Sequence, residues 1–294
     1  MSAVTAAQVK ELRERTGAGM MECKKALEAT GGDVQLAVEE LRKTGRAKAD
    51  KKASRIASEG VVFVSTTSDG KQALLIEVNS ETDFVARDEN FLNFVKAVAA
   101  TALAAHVQDI NLLSHTALVG ESSTVEEARQ ALVAKVGENI HIRRIAWMNA
   151  EDGVGSYLHA NRIGVLVKLD SHKPELAKDI AMHIAASKPL VVNPEDVSSA
   201  VVEKEKEIYL AQVAGSGKPE EIIKKMVEGR LKKFLDEVSL AGQPFVKDPN
   251  ITVAALLNKH STKVVEFTRF EVGEGIEKET EDFVAAVMSQ VQGS

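Results

Sequence analysis

The chain has 294 residues, a formal net charge of −6, 44% hydrophobic residues and 27% charged residues. That length accommodates two or three domains with substantial cores, and the acidic balance argues against a direct nucleic-acid partner bound by broad phosphate neutralisation. A single cysteine, Cys23, excludes an intrachain disulfide and a cysteine-rich metal site. Aromatic residues are only 4% of the chain, so the cores must be built from Ala, Val, Leu and Ile. No apolar run approaches the roughly 20 residues of a membrane span, and polar residues interrupt the N-terminus too early for a secretory leader. A cytoplasmic protein with no membrane partner is the expectation.

Residues 1–45 read as short helices broken at Gly17-Ala18-Gly19 and at Gly31-Gly32-Asp33, with Asp33 placed to cap a helix whose apolar stripe is Val34, Leu36, Ala37 and Leu41. Three such helices form a bundle resembling a ubiquitin-associated domain. The basic stretch that follows, with Arg46, Lys48, Lys51 and Lys52, reads as a solvated helical tether, giving a linker over 46–58.

The remainder contains an internal repeat. In the first copy, 59–149, Val61-Val62-Phe63-Val64 turns at Ser68-Asp69-Gly70 and returns through Ala73 to Val78. Asp-Gly between two β-rich runs signals a hairpin. Helices from about Glu89 and from Thr124 follow, and the strand Ile140–Ile145 closes the copy. The second copy, 150–274, runs from Gly155 through a turn at Ala160-Asn161 to Ile163–Val167, then helices near Glu175 and Thr252, then the strand Val264–Phe270. The expected fold is therefore α+β: a helical bundle, then two β-β-α-α-β subdomains with antiparallel sheets and helices packed on one face. Residues 197–240 form a charge-rich insertion in the second copy, read as a projecting antiparallel helical hairpin turning at Gly215-Ser216-Gly217-Lys218. A C-terminal helix is expected over 275–294.

Several chemical motifs fail on inspection. Gly215-Ser216-Gly217-Lys218 is no phosphate loop, because Gln212 stands where the first glycine belongs and Pro219 where magnesium's Ser or Thr ligand belongs. The seven histidines have no metal-ligand spacing, and no nucleophile elbow is present. His183, ending an otherwise apolar helix, reads from the residues alone as a hydrogen-bonded structural histidine. Asp83, Asp88 and Glu89 are carboxylates without an evident cleft. No enzyme, cofactor or metal of the chain's own is expected.

One loop exceeds what the architecture needs. The second copy joins strand to helix by the short link 170–174, whereas the first uses Asn79 to Asp88, containing Thr82-Asp83-Phe84-Val85. Phe84 either packs beneath this loop or is presented to a partner, and the residues alone leave both open. Met20-Met21 is equally ambiguous between core filling and an adaptable exposed contact.

Leu12-Arg13-Glu14-Arg15-Thr16-Gly17-Ala18-Gly19-Met20-Met21-Glu22-Cys23-Lys24-Lys25-Ala26-Leu27 resembles the N-terminal signature of the bacterial elongation factor Ts family. Glu77-Val78-Asn79-Ser80-Glu81-Thr82-Asp83-Phe84-Val85-Ala86-Arg87 is similar to its second signature, and the resemblance continues through Ile184–Pro189 and Gly242–Val246 to Arg269–Gly275. It implies a guanine nucleotide exchange factor for elongation factor Tu, without covalent chemistry, acting on the partner's GDP and Mg²⁺. It implies that Thr82, Asp83, Phe84 and Val85 form the loop that disturbs the partner's magnesium site. By the same resemblance Arg13, Met20, Met21, Lys24 and His183 are partner-binding, and the hairpin serves partner contact or homodimerisation. The rival reading is a passive adaptor whose repeats only scaffold the N-terminal bundle. It gives the Asp83-Phe84 loop no role.

Overall fold

Thr5 and Gln8 cap each other reciprocally to start α1 (Ala6–Thr16), which stops at Gly17. Helix α2 (Met20–Ala29) follows, and α3 (Val34–Lys52) begins where the Asp33 carboxylate accepts the Gln35 and Leu36 N–H groups. Val9, Leu12, Cys23, Ala26, Leu27 and Ala37 form the bundle core, with Val34, Val38 and Leu41 packed against it. Leu36 was expected in that stripe but is exposed. The inward positions 34, 37, 38 and 41, of which 37 is fully buried, follow the helical period, and 36 falls off it. The computed structural model describes residues 4–213 and 219–277. The turn expected at 215–218 and most of the C-terminal helix expected over 275–294 lie outside the described residues.

Helix α3 does not stop at the bundle. The basic stretch expected as linker begins as its last turns, and Ala49 there belongs to the core of the first repeat. Arg46 and Lys51 there are exposed, whereas Lys48 pairs with Glu22 and Lys52 donates to Gly137 O, and buried Gly45 lets the helix approach Ala134.

The first sheet is antiparallel, in the order β1 (Glu59–Thr66), β2 (Gln72–Ser80), β3 (Ile140–Asn149). Between β2 and β3 lie α4 (Asp83–Ala86), α5 (Glu89–Ala105), α6 (Ile110–His115) and α7 (Val125–Val136). The second sheet has the same plan: β4 (Val154–His159), β5 (Ile163–Leu169), then α8 (Pro174–Ser187) and the hairpin α9 (Ser199–Val213) and α10 (Glu220–Val238). A small ribbon, β6 (Pro244–Phe245) with β7 (Asp248–Thr252), precedes α11 (Val253–Lys259) and the returning strand β8 (Val264–Glu271), which pairs antiparallel with β5. The Ala160-Asn161 turn has both residues left-handed, at φ 49° and 56°, and closes with Arg162 N–H donating to His159 O. That left-handed pair matches the right-handed twist of the flanking strands, which close over residues 160–162.

Alternation along β2 explains the layering. Leu74, Ile76 and Val78 pack with Phe91, Phe94, Val95 and Val98 of α5. Ala73 and Leu75 face the other way, into a second core with Val62, Met148, Leu166 and Phe270. The two sheets therefore stack face to face, with α5 outside one and α8, through Leu176, Ile180 and Ile184, outside the other. Burying one such side chain, for example Phe91, is worth about 1.5–3 kcal/mol. The sheets approach closely at Gly164, where a Cβ would stand 2.5 Å from Val62 Cγ1 and 2.6 Å from Leu75 Cδ1.

A buried carboxylate pins this junction. Glu77 is 0% exposed and accepts from Arg144 Nε (2.6 Å), Arg143 Nη1 (3.0 Å), Asn79 Nδ2 (3.0 Å) and Gly273 N–H (2.8 Å). Arg144 also donates to Glu271 O and lies 4.1 Å over the Phe270 ring. One side chain thus ties the middle strand of the first sheet to the end of the second.

Candidate functional site

The chain leaves β2 at Ser80 and forms a single helical turn, α4, before Asp88 caps α5 through the Asn90 and Phe91 N–H groups. The Asn90 side chain foremost, helped by those backbone donors against a smaller effect of burial, holds the Asp88 carboxyl below its usual range. One turn of helix is not self-sustaining, because nucleation fixes several residues for one hydrogen bond. Here Thr82 Oγ1 accepts from Val85 N–H at 3.4 Å, and Thr82 O accepts from Ala86 N–H and Ser80 Oγ–H. Ala86 is buried in the first core, with Val85 packed against it.

Further support comes from the segment entering β3. The Glu138 carboxylate accepts Thr82 N–H at 3.0 Å and Thr82 Oγ1–H at 2.6 Å. In the opposite direction Glu81 Oε1 accepts Asn139 N–H at 2.6 Å, and the Asn139 amide donates to Arg55 O beyond α3. On this anchored turn Phe84 is 82% exposed. Asp83 is engaged beside it in an ion pair with Arg87 at 2.8 Å. A shallow hollow lined by Glu59, Asp83, Arg87 and Arg162 flanks the ring, with Arg162 paired to Glu59 at 2.8 Å.

Met20 and Met21, at the start of α2, are 59% and 65% exposed, because Leu12, Cys23, Ala26 and Leu27 already fill the bundle core. The open question about this pair is therefore answered for both residues. Arg13 on α1 and Lys24 on α2 are also exposed, the latter paired with Glu28. A short chain of contacts joins this module to the Phe84 loop. Gly17 lies against the Lys135 side chain at the end of α7, and Lys135 Nζ donates to Asn90 Oδ1 (2.6 Å) at the start of α5.

His183 stands apart from this surface. It is 0% exposed, accepting Val246 N–H at Nδ1 (3.1 Å) and sharing a 3.0 Å hydrogen bond between Nε2 and Gln243 Oε1. A backbone N–H can only donate, so Nδ1 is the acceptor and Nε2 carries the proton. Burial pushes its pKa below the ordinary value, and the Gln243 bond offsets this only in part. The free protein holds His183 as a neutral strut between α8 and the segment leading into the β6–β7 ribbon. Val246, beside it, is exposed.

Glu138, Asn139, Lys135 and Arg162 belong to this neighbourhood and carried no sequence signal. Glu138 and Asn139 bond to the loop itself, Lys135 to the start of α5, and Arg162 lines the hollow beside Phe84, each placed there only by the topology. Among the described residues no group of three or more His, Cys, Asp or Glu could hold a metal ion, and no helix is long and apolar enough to cross a membrane.

These observations define an α+β protein of two stacked repeats, carrying an N-terminal helical module and an aromatic-tipped loop. A family model described as Elongation factor TS matches residues 81–274. Elongation factor Ts of Legionella pneumophila strain Philadelphia 1 is 56% identical over 292 residues, covering 99% of this chain and 100% of that protein. Those of Thioalkalivibrio sulfidiphilus and Francisella tularensis subsp. novicida are each 55% identical over 293 residues, covering 99% of both chains and 100% of both chains respectively. The chain belongs to the elongation factor Ts family.

Proposed function

We propose that this chain is the guanine nucleotide exchange factor for elongation factor Tu, accelerating GDP release during translation elongation in the cytoplasm. The observation that supports this reading best is Phe84: a large apolar ring, 82% exposed, on a turn anchored from both sides. Such a ring contributes little to its own fold and is suited to filling a partner's pocket.

The partner's magnesium requires near-octahedral oxygen ligands and bridges nucleotide phosphates to a P-loop hydroxyl. Phe84, inserted between elements of the GTPase domain, displaces those ligands, and Asp83 perturbs the polar network beside it. Thr82 and Val85 hold the turn. Arg13, Met20, Met21 and Lys24 dock the N-terminal module on the same partner. His183 acts indirectly, by fixing the segment that bears Val246. The hairpin, with Val201, Ile208, Leu210 and Ile222 exposed, is the surface this reading assigns to partner contact or to pairing of two copies. No covalent bond changes. Linkage requires that a factor which loosens GDP is itself loosened by GDP, so nucleotide rebinding releases it.

The test is dissociation of a fluorescent GDP from elongation factor Tu in excess magnesium. Wild type should accelerate release, and Phe84→Ala should lose about 10- to 100-fold of that acceleration, as for an interface hot spot of roughly 2 kcal/mol or more. No acceleration by wild type sinks the exchange reading. Full activity of both Phe84→Ala and Asp83→Ala supports the adaptor instead.

A further inference from the structure

We infer that Glu138 is a positioning residue for exchange, the group that holds the Asp83–Phe84 turn ready for its partner. The inference rests on the exchange reading above. Three features of the turn carry it.

First, α4 is four residues long and Phe84 points away from the core, so the ring itself gives the turn no packing. Second, the cap inside the turn is weak, at 3.4 Å from Val85 N to Thr82 Oγ1, whereas the Glu138 bonds to Thr82 are 3.0 and 2.6 Å and charge-assisted. Both oxygens of one carboxylate hold one residue, fixing its backbone and its side chain together. Third, Glu138 is itself held. It lies between Gly137, the left-handed cap of α7, and Asn139, whose N–H is gripped by Glu81 and whose amide reaches Arg55 O. The two segments hold each other by reciprocal carboxylate bonds, and the end of the α3 region joins the same knot.

Releasing Glu138 leaves Val85 and Ala86 in place but frees the cap, so Phe84 samples orientations that cannot insert. Docking by the N-terminal module is untouched by this. The loss should therefore fall on the maximal rate of GDP release and not on the factor concentration that gives half of it.

The experiment compares full-length wild type, E138A, E138Q, F84A and F84A/E138A on elongation factor Tu loaded with fluorescent GDP. Hydrogen–deuterium exchange of the peptide spanning 82–86 is measured on each free protein. The expectation is a maximal rate at least 10-fold lower for E138A with an unchanged half-saturating concentration, and faster deuterium uptake over 82–86. E138Q, which keeps an acceptor for Thr82 N–H and offers its amide to Oγ1, should fall between E138A and wild type. It carries the test if E138A does not fold. F84A/E138A should be no slower than F84A alone, a non-additivity that a general loss of stability would not produce.

A wild-type rate for E138A, full additivity with F84A, or unchanged deuterium uptake overturns the inference. If wild type itself fails to accelerate GDP release, the exchange reading fails, while the deuterium measurement still decides whether Glu138 holds the turn.

Discussion

Glu77→Ala removes the acceptor on which four donors from three segments converge. Breaking a buried ion pair by deleting one partner costs about 3–5 kcal/mol. Arg143 and Arg144 keep partial solvent contact and can rehydrate, whereas the Gly273 N–H loses its acceptor, at about 1–3 kcal/mol. The expected loss near pH 7 is thus about 3 kcal/mol, at the lower end of that range. For a chain of this size it corresponds to a midpoint lowered by roughly 5 °C.

The pH dependence follows from the shift. Burial alone would raise the Glu77 pKa, but the Gly273 N–H, the Asn79 amide and Arg144 together hold it below the ordinary value. A carboxylate lowered in the folded state stabilises fully above its unfolded pKa, about 4.3, and loses that contribution as pH falls through the folded value. The gap between wild type and Glu77→Ala should be widest near neutrality and shrink below about pH 4.3. Differential scanning calorimetry across pH 3–8 measures it. A variant within 1 kcal/mol of wild type at pH 7, or a gap that stays constant into acid, would refute the reasoning.

Met20→Ala with Met21→Ala, both at exposed positions, should leave the melting temperature within about 2 °C of wild type. The concentration of factor needed for half-maximal GDP release should rise about 10-fold with little change in maximal rate, read from a titration against elongation factor Tu. His183→Phe deletes one buried and one part-buried hydrogen bond and leaves Val246 N–H and Gln243 Oε1 without their His183 partner, a loss of about 2–4 kcal/mol in urea titrations at pH 8. Because His183 is held neutral, wild type loses stability as pH falls below the unfolded imidazole value, about 6.5, and His183→Phe should lack that component.

Local patterning made much of this fold legible. The Asp69-Gly70 turn, the capping Thr and Asp residues, and the paired order of strands and helices all report on neighbours within a few residues. The unbroken apolar run through Ala73–Ile76 and Val78 also carried the signature of a strand buried on both faces. What it lacked was the identity of the second face, since Leu75 meets Leu166 only because two separate sheets stack. Glu77 inside that run carried no sign of its partners and is the most enclosed charge in the junction. The long link from Asn79 to Asp88 stood out as surplus to the architecture, and it holds the single turn α4 with its exposed Phe84. Whether Phe84 faced inward or outward depended on Val85 and Ala86 taking the core positions, a matter of one helical turn. His183 read as structural from its apolar surroundings, and in the free protein it is buried and hydrogen-bonded through both ring nitrogens.

The two repeats also close over very different lengths of chain. In the first, Ser80 meets Ile140; in the second, Leu169 meets Val264, with the α9–α10 hairpin lying between. Chain-closure entropy grows only with the logarithm of loop length, so the longer circuit costs about 0.4 kcal/mol more than the shorter one. The sheet therefore registers the hairpin thermodynamically as a minor detour. Its length and surface chemistry are free to vary with whatever it touches, while the pairing of β5 with β8 that carries it stays fixed.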